Sequence, residues 1–250
     1  MTEKFCNDQL TDAFIERRAA LEENYAVICE RIAAAAIRSG RKPEEITLLG
    51  ATKTVPVPLI NHAIELGLEH IGENRVQELM DKYDAILPCD KQFIGVLQTN
   101  KVKYLIERVS LIQSVSSLRL AKEISRLSTL QNTTTSVLLE VNIGKEESKS
   151  GFLPEELEEN VAAIAELPGL QVNGLMTIPP ICENSYDLRQ YFSLMHKYFI
   201  DIGRKKSDNV NMNILSMGMS ADYETAIECG ATMVRIGSLL FGPRILHQNY

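Results

Sequence analysis

The chain has 250 residues, with 26 Lys+Arg against 33 Asp+Glu and a formal charge of −7. At 45% hydrophobic and 24% charged residues it has ordinary globular composition, which excludes a disordered chain. The acidic balance argues against a mainly electrostatic nucleic-acid binder, and no apolar run reaches the ~18 residues a membrane span needs.

The start, Met1 to Cys6, carries no basic segment followed by an apolar block, so no secretory leader is expected. The five cysteines (Cys6, Cys29, Cys89, Cys182, Cys229) are odd in number and contain no close pair. Free thiols in a reducing cytoplasm are the expectation. The four histidines (His62, His70, His196, His247) form no i,i+4 pair, so no metal site is expected.

The spacing of Leu10, Phe14, Leu21, Tyr25, Ile28 and Ile32 predicts a long amphipathic helix over 8–39. Ser39-Gly40 and the following Pro43 close it. This helix either covers the bottom of the domain or contacts a partner. From there short apolar runs alternate with amphipathic segments. Strands are predicted over 46–52, 68–72, 92–96, 111–115, 137–143, 171–178, 213–217 and 232–236. Helices are predicted over 58–66, 74–86, 100–109, 117–127, 154–167, 186–205 and 221–229. Val137-Leu-Leu-Glu-Val141 and Met233-Val-Arg-Ile236 are continuous apolar runs with one polar insertion each, as strands buried on both faces require. Eight βα-like units in about 200 residues predict an α/β fold, a single (β/α)8 TIM barrel over 46–244 with an additional N-terminal helix. No Gly/Pro/Ser-rich linker divides residues 1–250.

In such a barrel the chemistry lies at the C-terminal ends of the strands. Ser216, Gly218, Gly237 and Ser238 follow the last two strands, where barrels often bind phosphate on backbone N–H groups. The same residues also suit ordinary turns and helix N-caps. Lys53 follows the first strand. Partial burial would make its amine nucleophilic enough for Schiff-base chemistry, whereas a solvated strand end would leave it inert. A lysine on one side of the rim and a phosphate cup on the other fit an aldehyde cofactor carrying a phosphate, of which pyridoxal 5′-phosphate (PLP) is the common one.

Seven segments in order carry a family resemblance: Ala51-Thr-Lys-Thr54, Ile71-Gly-Glu-Asn-Arg-Val-Gln-Glu78, Phe93-Ile-Gly-Val-Leu-Gln-Thr-Asn-Lys101, Glu147-Ser-Lys-Ser-Gly151, Gly174-Leu-Met-Thr177, Leu215-Ser-Met-Gly-Met-Ser220 and Val234-Arg-Ile-Gly-Ser238. Over 46–244 the chain resembles the pyridoxal-phosphate homeostasis proteins, which are similar to the N-terminal domain of alanine racemase. The resemblance implies the barrel and a Schiff base on Lys53. It implies phosphate contacts from Ser216, Met217, Gly218, Gly237 and Ser238, with Arg235 near the pyridine nitrogen and Asn74 approaching the ring. Arg235 could instead face the helices, since its strand alternates. Lys149 is either a lysine near the site or a solvated loop lysine.

There are departures from the family pattern. Val55 stands where a second lysine is frequent, Gln92 and Gln113 where histidines are, and Ser238 where threonine is usual. The related racemases complete their site with a second β-domain, and the chain ends shortly after Gly242-Pro-Arg244. An arginine at the ring nitrogen also weakens the ring as an electron sink. The expectation is a cytoplasmic monomer that binds PLP, maintains vitamin B6 balance and delivers the cofactor to PLP-dependent apo-enzymes. No nucleic-acid or membrane partner is expected. A stand-alone amino-acid racemase is the alternative.

Overall fold

The computed structural model describes residues 12–182, 184–205 and 207–243. The predicted helix start at 8–11 and the barrel end at Arg244 lie outside them. The eight strands are β1 (Thr47–Ala51), β2 (His70–Glu73), β3 (Asp90–Phe93), β4 (Leu111–Val115), β5 (Thr135–Val141), β6 (Leu170–Thr177), β7 (Val210–Ser216) and β8 (Met233–Ile236). All pair in parallel with their sequence neighbours, and β8 pairs back to β1, closing the barrel. The helices are α1 (Asp12–Arg38), α2 (Val57–Glu65), α3 (Val76–Lys82), α4 (Leu118–Leu130), α5 (Leu157–Ala165), α6 (Ser185–Gly203), α7 (Tyr223–Glu228) and α8 (Ser238–Phe241). Parallel neighbours need crossovers, and the intervening helices supply them.

Local chemistry explains the helices. The Ser117 hydroxyl caps α4 by accepting from Leu120 N at 3.3 Å, and Asn184 caps α6 by accepting from Asp187 N at 2.9 Å. In α4, Leu120, Ala121, Ile124 and Ser128 form one buried stripe. Ser128 bonds the Thr135 hydroxyl at 2.7 Å, which ties the helix to the start of β5.

Strand alternation splits the interior. Val137, Leu139 and Val141 of β5 face the helices and join the main core. Leu49, Ala51, Ile94 and Met233 pack inside the barrel, as do Leu111, Leu138 and Met176, with Ile214 touching both groups. The polar insertions Glu140 and Arg235 alternate with the helix-facing residues, and both side chains are buried.

Three expectations need correction. The segment 100–109 is not an α-helix; a 3-10 helix, Thr99–Tyr104, connects β3 to β4. Val102 is β-branched and Glu107 adopts φ 63°, so an α-helix is neither favoured nor continued. The third strand ends at Phe93, and the rest of that apolar run leaves the ladder, with Val96 72% exposed. Gly95 passes so close to the preceding rim segment that a Cβ would lie 2.0 Å from the Asn74 carbonyl oxygen. Finally, α1 does not cover the barrel bottom. It runs along the side, with Arg17 near one end donating to Phe241 O (3.3 Å) and Asn24 at the middle to Leu240 O (3.2 Å). Near the other end Arg38 pairs with Glu224 and Glu228. The helix α8 has only four residues, and α1 packs against it, α7 and α2.

Candidate functional site

A cavity of about 330 Å³ opens at the C-terminal rim. Lys53, Asn74, Arg235, Gly237 and Ser238 line it, together with apolar walls from Ala51, Val55, Ile94, Ile178 and Phe241. Its size is typical of a small-ligand site.

Lys53 lies two residues beyond β1 and is half-buried. Its C-terminal neighbour Thr54 has φ 61°, a left-handed conformation that a β-branched residue rarely adopts. Such strain costs about 1–3 kcal/mol and persists only where the surroundings impose it. Here they do. Glu73, the last residue of β2, is fully buried; its Oε1 accepts from the Thr52 hydroxyl at 2.9 Å and from Lys82 Nζ at 3.1 Å. Lys82 also donates to Thr52 O at 3.2 Å and to Glu78 Oε1 at 2.6 Å, and that same Glu78 oxygen accepts from Thr54 N at 2.5 Å. The backbone on both sides of Lys53 is thereby clamped from one side. Burial pushes the Glu73 carboxyl up, with the Lys82 charge pulling against it.

Arg235 faces the barrel interior, not the helices. It is 5% exposed, donating from Nη1 to the Ser216 hydroxyl at 2.6 Å and from Nη2 to Thr177 O at 2.9 Å. Burial pulls its guanidinium down to about 10, opposed by the carboxylates of Asp222 and Glu140, so it stays cationic at neutral pH. Burial raises the Asp222 and Glu140 carboxyls in turn.

The loops after β7 and β8 meet across two serines. Ser220 Oγ accepts from Leu239 N at 3.3 Å and lies 3.4 Å from Ser238 Oγ. Gly218 turns the chain at φ 94°, where an added Cβ would meet the Ala226 Cβ at 2.6 Å.

Five of the eight residues singled out from sequence thus share one cavity: Lys53, Asn74, Arg235, Gly237 and Ser238. The other three do not line it. Ser216 is fully buried and engaged with Arg235 and Gln113, while Met217 packs in the core with its N–H donated to Met233 O. Gly218 gives its carbonyl to Arg235 N at 3.0 Å. The cavity wall from this loop is instead Met219, Ser220 and Ala221. Arg17 of α1 joins the lining unannounced, because its helix is remote in sequence. Lys149 lies outside the lining and donates to Pro179 O at 3.0 Å, joining the loops after β5 and β6. The Glu73–Lys82 pair also went unread, although the i,i+4 pair Glu78–Lys82 was a visible signal.

Residues 17–244 match the family model of the alanine racemase N-terminal domain, which sets the class of barrel. A pyridoxal phosphate homeostasis protein of Aquifex aeolicus (strain VF5) is 48% identical over 224 residues, covering 89% of this chain and 97% of the relative. Its namesake from Escherichia coli (strain K12) is 40% identical over 229 residues, covering 90% and 97%. Among solved structures, PipY of Synechococcus elongatus PCC7942 with PLP bound matches at TM-score 0.72 and 30% identity, covering 86% of this chain and 100% of PipY. The chain belongs to the pyridoxal phosphate homeostasis proteins of the alanine racemase N-terminal-domain family.

Proposed function

We propose that this chain binds PLP in the rim cavity, with the Lys53 amine as covalent anchor, and serves vitamin B6 homeostasis in the cytoplasm. It holds the reactive aldehyde as a monomer and releases it to PLP-dependent apo-enzymes. The cofactor supplies an aldehyde, with which a primary amine condenses with loss of water, and an anionic phosphate.

The residues present fit that group. One observation carries the fit: Asn74 lines the cavity, and its buried Oδ1 has no hydrogen-bond partner among the described residues. A polar ligand atom would satisfy it. Lys53, Arg235 and Arg17 give the lining a cationic character that suits an anionic ligand. Arg235, an N–H donor in the cavity lining, would donate to the ring nitrogen and so would favour its unprotonated form. Ser220, Ser238 and the Gly237 backbone would take the phosphate. No helix among the described residues is long and apolar enough to cross a membrane.

Mixing purified protein with PLP, reducing with borohydride and mapping peptides by mass tests the reading. A pyridoxyl mass on the peptide holding Lys53 is expected, with yellow colour in the wild type and none in Lys53→Ala. A colourless wild type, or label spread evenly over surface lysines, overturns it. Transfer is tested by loading an apo-enzyme from the PLP-bound protein in the presence of a scavenger of free PLP. Activation no faster than from scavenged PLP alone would remove the delivery step.

A further inference from the structure

Arg235 is the last member of a polar chain that crosses the barrel interior. Its Nη1 donates to Ser216 Oγ at 2.6 Å. The Ser216 hydroxyl donates to Gln113 Oε1 at 2.7 Å. Gln113 Nε2 donates to Gln92 Oε1 at 2.6 Å, and Gln92 Nε2 donates to Asp90 Oδ2 at 3.3 Å. Asp90 pairs in turn with His70 Nδ1 at 2.8 Å. Each hydroxyl or amide link accepts on one side and donates on the other, so every donor points the same way, from guanidinium to carboxylate.

Two features set this chain apart from incidental core polarity. Its middle members are almost wholly buried: Gln92 is 2% exposed, and Gln113 and Ser216 are 0%. Its ends open at opposite mouths of the barrel. Arg235 lines the rim cavity, while His70, Asp90 and Gln92 line a second cavity among the N-terminal strand ends with Thr47, Ser136 and Thr232. Buried hydrogen bonds running head to tail polarise one another, and a cation at one end and an anion at the other reinforce that direction. An amide also holds its donor and acceptor roles at every working pH, unlike an imidazole, so the polarity is fixed.

We propose that Gln113 and Gln92 are positioning residues for Arg235, forming with Ser216 and Asp90 a one-directional relay that orients and polarises the guanidinium toward the ligand in the rim cavity. The inference rests on the reading that PLP occupies that cavity. The relay acts through Arg235 and touches no ligand itself. Breaking it in the middle frees the Ser216 hydroxyl to turn and lets the guanidinium reorient, while Lys53 and its clamp stay in place.

The test compares PLP-loaded wild type, Gln113→Leu, Gln113→His and Asp90→Asn. Borohydride trapping on Lys53 is measured first. If the wild type does not trap, the PLP reading has failed and the relay is not what the experiment has refuted. Given trapping in all four, the readout is the ratio of the long- to short-wavelength absorption bands of the bound cofactor across pH. Gln113→Leu is expected to change that ratio about two- to fivefold, the effect of one hydrogen bond's worth of orientation. Gln113→His, which can accept from Ser216 and donate to Gln92, is expected to restore it. Asp90→Asn, at a partly exposed position, is expected to shift the ratio in the same direction by less, and it decides the matter if Gln113→Leu does not fold. A purely structural role for the relay would lower thermal stability with the band ratio unchanged, and that result overturns the proposal.

Discussion

The two mouths of this barrel are both polar, yet they are built on opposite plans. At the N-terminal mouth His70, Asp90 and Gln92 bond one another between adjacent strands. At the C-terminal rim Lys53 is held by a left-handed Thr54, an interior arginine faces the cavity, and the Asn74 amide oxygen has no hydrogen-bond partner among the described residues. A folded chain tolerates strain and unpaired polar atoms where a ligand completes them.

The sharpest way to break the contrast is to remove the clamp beneath Lys53. Lys82→Met leaves the fully buried Glu73 carboxylate without its cation. Losing one partner of a buried pair costs about 3 kcal/mol. Part of that loss is regained by protonation, since burial already raises Glu73. Urea unfolding at neutral pH measures the loss, and the gap to wild type is expected to narrow at acidic pH as Glu73 becomes neutral. PLP trapping on Lys53 is expected to slow in the same variant. Full stability at neutral pH would show that the rim is no more finely balanced than the opposite mouth.

A second substitution separates strain from stability. Thr54→Gly removes a Cβ from a position at φ 61°. Relief of strain outweighs the entropy of glycine by about 1 kcal/mol, so the variant is expected to melt at an equal or higher temperature. Capture of PLP is nevertheless expected to fall, because Lys53 loses a fixed approach. A variant that is both more stable and equally fast would detach the strain from function.

These tests also mark what could be read from residues alone. The barrel was readable because both-face burial writes continuous apolar runs, whereas the direction of Arg235 was left open and only the closed barrel shows it buried in the interior. Lys53 stood out by its place after β1, and it lines the rim cavity. After β7, Ser216, Met217 and Gly218 serve the barrel and core and lie outside the cavity lining, to which this loop contributes Met219, Ser220 and Ala221. Strand ends blur because hydrophobicity does not register where a chain leaves its ladder. Val96 makes the same point at β3, apolar in sequence yet lying on the rim. The relay was invisible for another reason. Gln92 and Gln113 are remote in sequence from Ser216 and Arg235, and only barrel closure makes them neighbours.

The smallest effect belongs to the N-terminal mouth, and its pH dependence is its signature. Hydrogen bonding to Asp90 raises the His70 imidazole; burial raises Asp90, but its bonds to His70, Ser110 and Gln92 outweigh burial and leave it below the usual carboxylate range. A raised histidine stabilises the fold fully below its unfolded value near ~6.5, and the contribution is lost as pH rises through the higher folded value. Both side chains are about 30% exposed, so solvent screening holds the pair to about 0.5 kcal/mol. His70→Gln is therefore expected to be less stable than wild type by that amount at pH 5–6 and indistinguishable from it at alkaline pH. Thermal melts across that range check the sign. A gap that widens with rising pH would mean that His70 enters the fold as a neutral acceptor, and the N-terminal mouth would then lack the ion pair on which its contrast with the rim depends.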